Sequence, residues 1–174
     1  MSLNPCRISL RKDRFKFSSA HMTVFADGTK ESMHGHNYTV GAIIELKDTS
    51  LRSFAPFSLF KTILTELCQN WDEKLLLAQD CPFFSVTCNP SPSSEFGDEI
   101  EFQLCKKRYV LPRDEVLLLP LENITVESLS QELCRRFLEK LTVQKASLLS
   151  TEIQITVEES PGQGATSTWR PSES

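Results

Sequence analysis

Apolar residues alternate in stretches along "RISLRKDRFKFSSAH" (7–21), where Phe15, Phe17, Ser19 and His21 share one face. Side chains on an extended chain point alternately to either side, so this spacing predicts a strand. "HNYTVGAIIEL" (36–46) repeats it with Tyr38, Val40, Ala42, Ile44 and Leu46, and predicts a second strand. The stretch between them, 22–33, holds the turn signal "DG" and reads as a loop. The period then lengthens. Phe57, Phe60, Ile63, Leu64, Leu67, Cys68 and Trp71 fall at helical spacing, with Pro56 suited to a first turn. Val126, Leu129, Leu133, Phe137, Leu138 and Leu141 predict a second helix over 126–141, with Thr125 as its N-cap. "TEIQITVEES" (151–160) predicts a last strand whose one face carries Ile153, Ile155, Val157 and Glu159.

The centre of the chain is less regular. "NPSPSSEFGD" (89–98) reads as a Pro/Ser/Gly loop. "EIEFQLCKKRYVL" (99–111) predicts a hairpin turning at Cys105–Lys107, and "EVLLLPL" (115–121) a short strand or extended run. The tail from Gly162 is poor in apolar residues and is expected to end in a few mobile positions. No internal repeat is visible. The expected order is β-β-α-(inserted hairpin)-α-β in one domain, 1–174. Such segregated elements make an antiparallel α+β fold with both helices on one sheet face.

Composition narrows the setting. The 174 residues are 40% hydrophobic, with 11 Phe, enough for one core and too apolar for a disordered chain. A net charge of −4 does not favour a nucleic-acid surface, and "CKKR" (105–108) reads as a solvated turn. No apolar run approaches the ~20 residues that span a bilayer, and no secretory signal opens the chain. Of the six cysteines, none forms a CxxC pair, and Cys68 and Cys134 fall within apolar helical patterns. Together these features point to a reducing, cytoplasmic setting, with no membrane and no nucleic acid among the partners.

All three histidines lie within sixteen residues: His21, His34 and His36. On a strand, His34 and His36 can point at one atom, and His21 ends the neighbouring strand. Three imidazoles around one ion leave a fourth position open, the pattern of catalytic rather than structural zinc. The competing reading is three unrelated histidines. Glu159 closes an apolar stripe, so its carboxylate either is buried and needs a planar N–H partner or reaches solvent from the strand end.

"FSSAH", "HGHNYTV", "WDEKLLLAQDCPFF", "NITVESL" and "VEES", followed by Ala165 and Trp169, together resemble the 6-pyruvoyl-tetrahydropterin synthase family, which includes 6-carboxy-tetrahydropterin synthases. The match runs from about residue 7 to 169 apart from an insertion near 85–120. The resemblance implies the tunnelling fold, a four-stranded antiparallel sheet with two helices on one face. It implies subunits joined edge to edge in a trimeric β-barrel, two trimers stacked as a hexamer, and sites between subunits. It implies zinc on His21, His34 and His36, and 7,8-dihydroneopterin triphosphate as substrate. The pterin ring would be gripped by Glu159, helped by Thr125 and Glu127.

Two departures stand out. The family's usual catalytic Cys before HGH is missing from "FADGTKESM". Where the family carries an Asp-His pair, in a pattern like "LDHKNL", this chain has "WDEKLL", keeping Asp72 but placing Glu73 where His would be. "ESMHGH" is similar to a subgroup in which a Glu three residues before the first His, here Glu31, replaces the Cys. That subgroup cleaves the substrate's side chain to 6-hydroxymethyl-7,8-dihydropterin, a folate precursor. A carboxylate near zinc serves as a general base when partial burial raises its pKa toward neutrality. The resemblance thus implies a zinc-dependent lyase with Glu31, Asp72 and Glu73 in catalytic positions. The alternatives are a 6-carboxy- or 6-pyruvoyl-tetrahydropterin synthase and a pterin-binding protein without catalysis.

Overall fold

The computed structural model describes residues 6–47, 56–88, 98–143 and 150–171. Strands β1 (Arg7–His21) and β2 (His34–Leu46) pair antiparallel, β2 starting two residues earlier than the alternation predicts. Their pairing slips between Arg11↔Gly41 and Lys16↔Thr39, five steps along β1 against two along β2. An odd excess of residues switches which parity faces inward. Ile8 and Leu10 before the bulge and Phe15 and Phe17 after it are therefore all buried. Without the bulge one of these pairs would face water.

Helix α1 (Phe57–Trp71) follows its predicted span, and α2 (Val126–Val143) runs two residues beyond it. Between them lie β3 (Lys74–Ala78), β4 (Phe84–Cys88), β5 (Glu99–Leu104), β6 (Lys107–Pro112), a 3-10 turn at Arg113–Glu115, and β7 (Val116–Leu119). After α2 come β8 (Ser150–Ser160) and β9 (Gln163–Trp169). The main sheet has the order β7-β3-β1-β2-β8-β9. Strands β1, β2, β8 and β9 form an antiparallel series, but β3 lies parallel to β1 and β7 parallel to β3. The sheet is thus six-stranded and mixed, where four antiparallel strands were expected.

Two strands escape the periodicity for opposite reasons. Leu75, Leu76, Leu77 and Ala78 of β3 are all buried, so no alternation marks them, as is usual for parallel strands covered on both faces. Strand β9 lies in the tail read from Gly162. It turns only Ala165, Ser167 and Trp169 inward, and its pairing with β8 rather than an apolar stripe holds it. The expected hairpin forms as β5 and β6, and β4 adds a third antiparallel strand. Its turn residues Cys105 and Lys106 both have positive φ, 51° and 63°, the mirror-image turn that matches strand twist. The loop read at 89–98 lies outside the described residues apart from Asp98.

Both helices cover the same sheet face. Trp71 of α1 meets Phe17 edge-on with ring centroids 5.4 Å apart, and the Ser19 hydroxyl donates to the Trp71 carbonyl. On α2, Ser130 bonds Ser167 of β9 at 2.7 Å, and Phe137 stacks on Phe60 of α1 at 6.4 Å. Cys68 and Cys134 are buried in this layer. The buried Glu132 is matched by Arg135 (2.7 Å) and Arg136 (2.6 Å). Buried residues of the inserted sheet, Ile100, Phe102 and Leu104, join the same core. Among the described residues no helix is long and apolar enough to cross a membrane.

Candidate active site

The register of β1 on β2 sets His21 directly opposite His34 and Ser19 opposite His36. Ring centroids are 4.6 Å apart for His21 and His34, 5.3 Å for His21 and His36, and 4.9 Å for His34 and His36. One ring nitrogen of each lies within 4.8 Å of the others, a group able to hold a metal ion. In two of them the second nitrogen has a partner of its own. Nδ1 of His21 lies 3.3 Å from the Ile124 carbonyl, and Nδ1 of His34 lies 2.9 Å from the Ser32 carbonyl. Donation from Nδ1 leaves the Nε2 lone pair free, the tautomer a metal ligand needs. Nε2 of His21 is buried without a hydrogen-bond partner, which costs about 1–3 kcal/mol unless something occupies it. Burial, then the nearby His34, lowers the His21 pKa and keeps the ring neutral. The donor set fits a three-histidine metal site.

Two carboxylates flank the histidines. Oε2 of Glu31 is 4.0 Å from Nε2 of His34, and Oε2 of Glu159 is 3.8 Å from Nε2 of His36. The Glu31 N–H donates to the Thr23 carbonyl at 3.0 Å, and its own carbonyl accepts from Lys30 Nζ at 2.9 Å. The Thr23 hydroxyl lies between the Glu31 carboxylate and the Ile124 carbonyl, the latter 3.4 Å away. It has one proton to give, and the carboxylate is the stronger acceptor. That hydrogen bond outweighs burial and holds Glu31 below its usual pKa, where partial burial was expected to raise it. Glu31 is therefore an ionised acceptor at neutral pH. Glu159 is neither buried nor free: Oε1 accepts from Gln163 at 2.6 Å while Oε2 faces His36.

Tyr38 lies beneath this cluster, stacked on Phe17 at 4.8 Å and 5.6 Å from the His36 ring. Burial, then Glu159 and Glu31, pushes its phenol well above the usual range, so it stays protonated.

The start of α2 closes the other side. Thr125 caps the helix, its Oγ1 accepting from the Ser128 N–H at 3.3 Å while its own N–H donates to Ser128 Oγ at 3.0 Å. The Thr125 hydroxyl also lowers the Glu127 pKa. Both residues follow directly on Ile124, whose carbonyl meets His21. Asn123 fastens this corner. Its Oδ1 accepts from the Val24 and Ile124 N–H groups, both at 3.0 Å, and its Nδ2 donates to the Val24 carbonyl at 2.9 Å. Sequence reasoning missed Asn123 and Thr23. The Asn123 signal lay within "NITVESL", but nothing local tells a fastening amide from a turn residue.

Asp72 and Glu73 form no ion pair with these histidines, whose acidic neighbours are Glu31 and Glu159. Asp72 Oδ1 instead accepts the Ser18 N–H at 2.7 Å, tying the end of α1 to β1. Glu73 has left-handed backbone, φ 55°, and its N–H donates to the Ser18 carbonyl at 2.7 Å. Its side chain lines a cavity of about 520 Å³ with Met33, Asn37, Leu111 and Glu115, which also reaches His36.

The model of the 6-pyruvoyl tetrahydropterin synthase family matches residues 10–169. A Methanocaldococcus jannaschii protein provisionally named 6-carboxy-5,6,7,8-tetrahydropterin synthase is 28% identical over 152 residues, 86% of this chain and 87% of its own. The solved 6-pyruvoyl tetrahydropterin synthase of Plasmodium vivax superposes with a TM-score of 0.82 at 20% identity, covering 97% of this chain and 99% of its own. It has also been solved with a catalytic Glu changed to Ala and to Cys. The Plasmodium falciparum counterpart gives 0.82 at 22% identity, covering 97% and 100%.

Proposed function

Because the chain belongs to the 6-pyruvoyl tetrahydropterin synthase family, we propose that it is a zinc-dependent lyase acting on the side chain of 7,8-dihydroneopterin triphosphate, with 6-hydroxymethyl-7,8-dihydropterin as product. The observation that carries the reading is Glu31, 4.0 Å from a metal-competent histidine in a segment without cysteine. The catalytic Glu of the Plasmodium vivax protein supports a carboxylate in that role.

His21, His34 and His36 would hold the zinc, which when bound acts as a Lewis acid and eases proton loss from the side-chain hydroxyls. Glu31, ionised and fixed at both backbone ends, takes the proton of the C2′ hydroxyl. The C1′–C2′ bond then breaks, and C2′ leaves as the aldehyde of a triphosphorylated two-carbon fragment. The electron pair left at C1′ passes into the conjugated ring and takes back a proton from the Glu31 acid, giving the hydroxymethyl group. Glu159 accepts N–H bonds from the pterin ring, and Thr125 and Glu127 line its approach. Glu73 serves from the cavity that reaches His36, and Asp72 supports it by clamping the end of α1 to β1, in a site shared between copies of a trimeric or hexameric barrel. The setting is cytoplasmic.

The name of the Methanocaldococcus relative favours a second reading, in which the product is 6-carboxy-tetrahydropterin. Incubating zinc-loaded protein with 7,8-dihydroneopterin triphosphate and resolving the pterins separates the two. Hydroxymethyl-dihydropterin is expected; carboxy- or pyruvoyl-tetrahydropterin alone would sink the product assignment. Tight pterin binding without turnover would favour a binding protein. Glu31→Ala should abolish turnover with zinc content intact.

A further inference from the structure

The inserted sheet β4-β5-β6 packs against the loop that carries Glu31, and three contacts join them. Lys30 Nζ lies 5.5 Å above the centre of the Tyr109 ring on β6. Cys105 Sγ at the hairpin turn lies 4.0 Å from the Thr29 carbonyl. A Cβ built on Gly28, whose φ is +79°, would stand 3.0 Å from the Phe83 ring, so the turn of the loop presses directly on that aromatic.

Lys30 is where this packing reaches the site. Its Nζ donates to the Glu31 carbonyl at 2.9 Å and approaches Met22 Sδ at 3.1 Å. The loop is itself a small hairpin, with Val24 bridged to Lys30 and the Phe25 N–H bonded to the Thr29 carbonyl at 2.8 Å. Tyr109 has no freedom to retreat. Its ring stacks on the fully buried Phe102 at 5.0 Å and 12°, and Phe102 packs on Phe84 at 5.7 Å. An aromatic face held in this way gives a part-buried ammonium a fixed electrostatic seat.

We infer that the inserted sheet is a positioning element for Glu31: Tyr109 seats Lys30, and Lys30 fixes the Glu31 main chain and so the aim of its carboxylate toward the metal and substrate. Tyr109 and Lys30 are positioning residues and touch no reacting atom. The inference rests on the proposed role of Glu31 as base. Nucleophile-to-base geometry is sensitive, and a displacement of about 1 Å can cost on the order of 100-fold in rate.

The test uses the full chain with zinc bound, as Tyr109→Ala, Tyr109→Phe and Lys30→Met. Tyr109→Ala and Lys30→Met should lower kcat on the order of 10- to 100-fold with KM and zinc content unchanged. Tyr109→Phe keeps the ring and should restore the parent's kcat. Hydrogen exchange read by mass spectrometry should show faster exchange across 23–31 in the first two variants only. Lys30→Met gives up only the Nζ contacts, to the Glu31 carbonyl, the Tyr109 ring and the buried Met22 sulfur, keeps a side chain of similar length, and so keeps the test alive if Tyr109→Ala fails to fold. Parent kcat and parent exchange in Lys30→Met would overturn the inference. So would a Tyr109→Phe variant as slow as Lys30→Met. If the parent protein itself turns over no pterin, the proposed function has failed, and the exchange data alone decide whether the sheet positions the loop.

Discussion

Replacing Asn123 by Ala should loosen both the fold and the metal site. The amide makes three hydrogen bonds, to the Val24 N–H, the Ile124 N–H and the Val24 carbonyl, all of 2.9–3.0 Å. At about 1 kcal/mol each, their loss amounts to about 3 kcal/mol. For a chain of this size that corresponds to a fall in Tm of about 9 °C. The more telling effect is local. Ile124 would no longer be pinned, and its carbonyl fixes the tautomer and orientation of His21. Loss of such an outer partner typically costs 10- to 100-fold in metal affinity. Zinc affinity, measured by competition with a chromophoric chelator well below Tm, should fall by that factor. Leu141→Ala supplies the control: it empties a fully buried position at the far end of α2 and should cost about 2–5 kcal/mol without touching the site. If Asn123→Ala bound zinc as tightly as the parent, the Ile124 carbonyl would not be what orients His21.

Three further predictions rest on separate features. A Cβ at Gly164 would stand 2.3 Å from the Val157 carbonyl and 2.8 Å from the Glu158 Cα, so Gly164→Ala must push β9 off β8; thermal melting and exchange of the β9 amides should both show it, and an unchanged Tm would refute the close approach. Glu73 spends about 1–2 kcal/mol on its left-handed backbone, so Glu73→Gly should hold or raise Tm while taking the carboxylate out of the cavity; a fall in kcat without a fall in stability would mark Glu73 as catalytic. Burial opposes ionisation of Glu132, but hydrogen bonds from Arg135 and Arg136 outweigh it and lower its pKa below the usual 4.5. A depressed folded-state pKa contributes stability that is present above about pH 4.5 and is lost as pH falls through the folded value. Denaturant titrations from neutral pH downward should show that loss, and Glu132→Gln should be less stable at neutral pH but flatter below it.

Local periodicity was enough for α1, α2, β2 and β8, whose apolar spacing reports the buried face directly, and for β1 in two stretches, one on either side of its bulge. It was also enough to bring His34 and His36 together, since i and i+2 share a strand face, and to set His21 beside them at the strand's end. The remainder depended on partners remote in sequence. The bulge between Arg11 and Lys16 is visible only as a change of parity, and the register with β2 decides where it falls. Strand β3 carries no alternation because neighbours cover both its faces, and β9 has no apolar stripe because its pairing with β8 supplies its hold. The same holds in the site. Glu31 was legible as an acid beside a histidine pair, but its ionisation is set by Thr23 and its placement by Lys30. Asp72 and Glu73 adjoin in sequence, yet β1 turns one into a backbone clamp and the other toward a cavity. Sequence by itself determined which groups could do chemistry, since residue type and strand period suffice for that. Tertiary structure alone decided which of those groups meet, since hydrogen bonds from residues some hundred positions away, Asn123 and Ile124 above all, fix their orientation.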